Sequence, residues 1–165
     1  MNKSRTGESF TEIFPEIDFG LVGLPELTAM GYIFRHVSVF DHWLTDDEAS
    51  ASNIITFEAS VKNNAEMAYL DGERRFLDLY FSLACEGAVC NRPTHERILF
   101  KEDKFLEDVL LKSLRERCLM GVYFKNCQAR VVGGYDRTDL ILVRSESDLK
   151  RICIEVQKAG LHVLN

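Results

Sequence analysis

The stretch VYFKNCQARVVGGYDRTDLILVRSESDLKRICIEVQKAGLHVL, residues 122–164, decides the fold. Residues 122–124 read as a short strand, Lys125-Asn126 as its turn and residues 129–132 as the return strand. Gly133-Gly134 breaks that strand, and residues 140–143 form a continuous apolar run suited to a buried one. Ser145-Glu146-Ser147-Asp148 has the pattern of a capping box, in which a hydroxyl and a carboxylate three residues on satisfy each other's free amides. Leu149, Ile152, Cys153 and Val156 then follow at helical spacing, Gly160 ends the helix, and residues 161–164 complete a last strand.

Outward from this block, two longer helices precede it. Residues 102–119 carry Phe105, Leu106, Val109, Leu110, Leu114 and Cys118 on one wide face. Residues 72–86 carry Phe76, Leu79, Tyr80, Leu83 and Ala84, with Asp71 as the expected cap and Gly87 as the terminator. Residues 88–100 read as a connection containing Pro93 and a short strand at 98–100. Two runs further upstream alternate in strand fashion, 30–40 and 53–61, and are expected to pair as an antiparallel ribbon across a polar loop at 41–52. Strands gathered at both ends with helices between them predict an α+β domain: a mostly antiparallel sheet with about three helices packed on one face. Residues 1–7 read as a flexible tail, residues 8–29 as a short helix or irregular wrap, and 8–165 as one domain.

Charge is the strongest functional signal. Residues 1–66 hold 11 acids and 4 bases, a balance of −7, whereas residues 67–165 hold 15 acids and 16 bases. The whole excess of acid thus lies in the first two-fifths of the chain. Net charge −6 and a pI near 5.3 disfavour a broad nucleic-acid platform, which is usually basic. Arg74-Arg75 and Arg115/Arg117 read as solvated helix faces rather than a nucleic-acid patch. No run approaches the ~20 apolar residues of a membrane helix. No apolar run follows the basic start, so the five cysteines are expected in a reducing, cytoplasmic setting as small core hydrophobes.

Phosphate-cradling glycine loops, dinucleotide fingerprints, His-Glu-x-x-His and nucleophile-elbow motifs are all absent. The best metal candidate, Cys85-x4-Cys90-x4-His95, lacks a fourth ligand and the usual paired spacing, so neither a metal nor another cofactor is expected. Tyr135-Asp136-Arg137-x-Asp139 has one carboxylate pair without a third oxygen-rich position, and reads as an exposed turn with a local salt bridge. The richest cluster is Asp41, His42, Trp43, Asp46, Asp47 and Glu48, with Asp18, Glu26 and Glu58 as neighbouring acids. No catalytic set can be assembled from it. Its pattern, carboxylates around one aromatic, suits a contact surface for a basic protein. It fits a cytoplasmic inhibitor of the immunity or antitoxin kind, whose target could be a basic nuclease toxin. The alternative is a small enzyme or ligand-binding domain with a pocket built from His36, His42, Arg130 and Asp136.

Overall fold

The computed structural model describes residues 23–92, 97–99 and 103–164. The expected tail at 1–7, most of the expected wrap at 8–29, Asp18 and His95 lie outside them. The chain divides into two compact units, residues 1–31 and 32–165. In the first, α1 (Leu24–Ala29) begins with Pro25 in its first turn, where the missing N–H costs nothing.

The second unit is a seven-stranded antiparallel sheet in the order β3-β2-β4-β5-β6-β1-β7. Its strands are β1 (Ile33–Ser38), β2 (Ala88–Arg92), β3 (Arg97–Leu99), β4 (Gly121–Phe124), β5 (Ala129–Val132), β6 (Thr138–Val143) and β7 (His162–Leu164). Side chains alternate across each strand, so Val122, Phe124, Val131, Ile141, Val143 and Val37 all point to one face. Three helices cover that face: α4 (Glu66–Leu83), α5 (Lys104–Leu114) and α6 (Glu146–Lys158). The predicted α+β arrangement, with helices on one side of an antiparallel sheet, is the observed one. Phe76, Tyr80, Leu110 and Phe124 sit at 0% exposure in this core. Tyr80 stacks between Phe76 and Phe124, with ring centroids 5.8 and 5.9 Å away.

The hairpin and terminal helix follow the sequence closely. Ser145 caps α6 by accepting from the Asp148 amide at 3.1 Å, and its hydroxyl donates to the Asp148 carboxylate at 2.6 Å. The turn of β4 into β5 is one 3-10 turn, Lys125–Cys127, ended by Gln128 in the left-handed region.

Other expectations are corrected. Residues 53–61 are not a strand. They hold a turn and then α3 (Phe57–Lys62), capped by Thr56, whose side chain accepts from the Ala59 amide at 3.1 Å. Both neighbours of β1 come from the C-terminal stretch: β6 along its whole length and β7 at residues 36–38. The loop at 41–52 contains α2 (Asp46–Ala51), started by Thr45 and Glu48 in a true capping box. Helix α4 starts five residues before the expected cap, because Tyr69 extends the apolar stripe one turn pair upstream of Phe76. Asp71 therefore lies inside the helix and pairs with Arg74 and Arg75. Helix α5 stops at Leu114, since Glu116 turns left-handed at φ 56° and the amides of Arg117 and Cys118 bond back to the Lys112 carbonyl.

Candidate functional site

The acidic segment leaves the sheet at a pinned point. The buried Ser38 hydroxyl accepts from the Phe40 amide at 3.1 Å and donates to the Arg137 carbonyl at 3.2 Å. Beyond it, Asp41, His42, Trp43, Asp46, Asp47 and Glu48 are all exposed. The structure does bring three of them together. His42 lies between two carboxylates, with Nδ1 2.6 Å from Asp41 and Nε2 3.2 Å from Glu48. The Asp41 and Glu48 hydrogen bonds raise its pKa above the ordinary value. Glu48 is held low chiefly by the Thr45 amide and hydroxyl it accepts from, and Asp41 chiefly by His42. Glu48 thus has two jobs, completing the cap of α2 and fixing His42.

Trp43, 50% exposed, turns back onto the sheet, where its ring meets His36 edge-on at 4.7 Å. Burial lowers the pKa of His36, which disfavours the charged form of the ring beneath Trp43. Asp46, Asp47 and Glu58 are exposed, Glu58 being on α3. Among the described residues none of these three forms an ion pair with Lys or Arg. Among the described residues, Asp46, Asp47 and Glu58 are therefore not neutralised by bases from the later half of the chain. Glu26 lies in the first unit, on α1.

Two arginines position the segment, and the sequence reading missed both. Arg137 was expected in an exposed salt bridge. It is instead buried at 5% exposure, donates to the Tyr69 carbonyl at 2.9 Å and the Ile54 carbonyl at 3.5 Å, and lies 4.0 Å over the Tyr69 ring. Burial pulls its pKa down. Gly72 is the residue that admits it, since a β-carbon there would stand 2.5 Å from the guanidinium. Arg115 binds the buried Glu73 with two bonds of 2.7 and 2.9 Å and lies 4.5 Å over Phe57, whose ring meets Tyr69 at 5.4 Å. Arg115, Phe57, Tyr69 and Arg137 form a continuous stack that fastens α3 to α4.

Asp139 is likewise buried rather than in an exposed turn. Its carboxylate accepts from the Tyr80 hydroxyl and from the Gly134 amide, the latter at 2.9 Å. Burial pushes its pKa up to about 6. Asp136 is exposed and accounts for no ligand set; its amide bonds to Glu116 at 2.9 Å.

The residues of the pocket alternative are not gathered. His36 and Arg130 share a sheet face but sit two strands apart, and His42 and Asp136 are exposed in separate loops. Two open grooves of about 350 and 330 Å³ border α6 and include none of the four. Cys85 is exposed in a one-turn helix, whereas Cys90 is buried in β2. Among the described residues no three His, Cys, Asp or Glu could hold a metal ion, and no helix is long and apolar enough to cross a membrane.

No known protein family matches the chain, and neither a curated protein nor a solved structure is significantly similar to it.

Proposed function

We propose that the protein is a non-catalytic binding module that presents the 41–48 segment and Glu58 to a basic protein partner, in the manner of an immunity protein, antitoxin or acidic adaptor. The observation that carries this reading is the exposed set Asp46, Asp47 and Glu58, which no Lys or Arg among the described residues neutralises, with Asp46 and Asp47 following closely on an aromatic residue, Trp43, left half-open. These carboxylates repel one another and add to the fold only through the helix N-termini they occupy, but they steer a cationic partner and raise its association rate. Trp43 supplies what steering lacks: a large, stiff apolar anchor already ordered against His36. The capping box fixes the backbone that carries the acids, so little ordering cost remains for the bound state. A basic active-site cleft, as in a nuclease, is the chemistry such a surface would plug, its carboxylates standing where phosphates bind. A cytoplasmic setting belongs to the same proposal.

The test is differential affinity capture from the source cells, with the wild type and the Asp46→Ser/Asp47→Ser variant side by side. The expected result is a basic protein that the wild type retains at low salt, releases at high salt, and that the variant captures several-fold less. Identical captures by the two proteins would overturn the reading.

A further inference from the structure

We infer that the corner between α3 and α4 docks a basic, amphipathic helix of the partner, an inference that rests on the binding reading above and names the partner's contacting element. Two large apolar side chains stand exposed on α4, Met67 at 81% and Leu70 at 37%, and a third, Val61 at 45%, on α3. Met67 and Leu70 are three residues apart on α4, so they lie one above the other on one outward face. Val61 belongs to α3, which the 63–65 turn folds back toward α4, with the Ala65 amide bonded to the Ser60 carbonyl at 2.8 Å and Asn64 left-handed at φ 55°.

The corner is not exposed through lack of anchoring. Thr56 caps α3, Phe57 is held between Tyr69 and Arg115, and Tyr69 bonds through its hydroxyl to the Leu114 carbonyl at 2.7 Å. A firmly seated helix pair that still points apolar groups outward has the form of a helix-docking surface, in which side chains one turn apart meet the i, i+3, i+4 anchors of an incoming helix.

The surrounding charge selects the occupant. From residue 41 to residue 66 there are six acids, and Lys62 is the only Lys or Arg; Arg74, one turn along α4 from Leu70, is paired with Asp71. Glu58 and Glu66 flank the apolar residues, and among the described residues neither pairs with Lys or Arg. A membrane-binding corner would set apolar anchors among basic residues, because lipid headgroups are anionic. A second copy meeting this corner across a two-fold axis would bring acid against acid. A helix with apolar residues on one side and Lys or Arg at its margins satisfies both features.

The test uses two fluorescent peptides of about 18 residues, beyond the length at which isolated helices are marginal. One arranges leucine and lysine on opposite helix faces, and the other has the same composition scrambled. Anisotropy at low salt is expected to show the amphipathic peptide binding at least about tenfold tighter, a difference of about 1.4 kcal/mol. Met67→Ser/Leu70→Ser is expected to erase this preference while keeping the thermal midpoint, and Ile154→Ser, an exposed apolar residue on α6, is expected to leave it intact. Equal affinities for the two peptides, or an undiminished preference in the double variant, would overturn the inference. The Asp46→Ser/Asp47→Ser variant separates the two levels. If it weakens both peptides while Met67→Ser/Leu70→Ser changes nothing, the acidic surface stands and the helix site falls. If it changes neither peptide, the broader reading fails by itself.

Discussion

The sheet with α4, α5 and α6 differs from the 39–65 segment in how each is held. The sheet and its three helices share one apolar core, with Phe76, Leu110, Phe124 and Ile141 at 1% exposure or less. The segment has two six-residue helices, of which α2 buries no residue and α3 buries only Ser60. Helices that short are marginal in water. They persist here through caps at Thr45 and Thr56 and through the Arg115–Phe57–Tyr69–Arg137 stack. A region held by directional contacts at a few points keeps its outer surface free. The core serves stability and leaves no comparable freedom to its residues.

Substitutions should separate the two regions, beginning with the largest effect. Leu110→Ala empties a fully buried site and is expected to cost roughly 2–5 kcal/mol in urea unfolding. A cost within about 0.5 kcal/mol would break the assignment of α5 to the core. Arg115→Ala removes the bidentate partner of the buried Glu73 and is expected to cost about 3 kcal/mol. It should also speed amide hydrogen exchange in α3 before it does so in the sheet. Uniform acceleration throughout would mean that the segment and core unfold as one unit.

Between about pH 6 and 4, acid should act on stability through the core. Asp139 has a folded-state pKa of about 6 against an ordinary 3.8, so the folded protein binds this proton more tightly than the unfolded chain. Its contribution therefore stabilises as pH falls through about 6 toward 4, by roughly 3 kcal/mol at most, and is lost as pH rises again. Asp139→Asn should flatten the stability profile across that window. An unchanged slope would place the responsible proton elsewhere. The smallest effect is on the two histidines that flank Trp43. By NMR titration, His42 should titrate above 6.5 and His36 below it. The reverse order would contradict the Asp41–His42–Glu48 cluster.

The C-terminal block was legible because its strands are short, apolar and bounded by glycines, and because its helix carries its own cap. The 53–61 stretch was not. Ile55, Phe57, Ala59 and Val61 alternate like a strand, yet Thr56 three residues before Ala59 is also a helix start. The choice is settled by Arg115, which lies 58 positions beyond Phe57 in sequence and over its ring in space. The Thr45-x-x-Glu48 cap was a local signal open to reading and points to α2. The acidic cluster was legible as composition, including its exposure. Arg137 and Asp139 were not, because two charged residues beside a double glycine read as a surface turn. Gly72, Tyr69 and Tyr80, far away in sequence, make room and hydrogen bonds for them.

The central claim is that the carboxylates of the 41–48 segment exist to meet a cationic protein. Its most direct measurement is the association rate of the captured partner as salt rises from about 0.05 to 0.5 M, a range over which surface charges become screened. The account predicts a steep fall for the wild type and a distinctly shallower one for Asp46→Ser/Asp47→Ser, which leaves the Glu48 cap in place, with thermal stability unchanged between them. Identical salt slopes for the two proteins would contradict it.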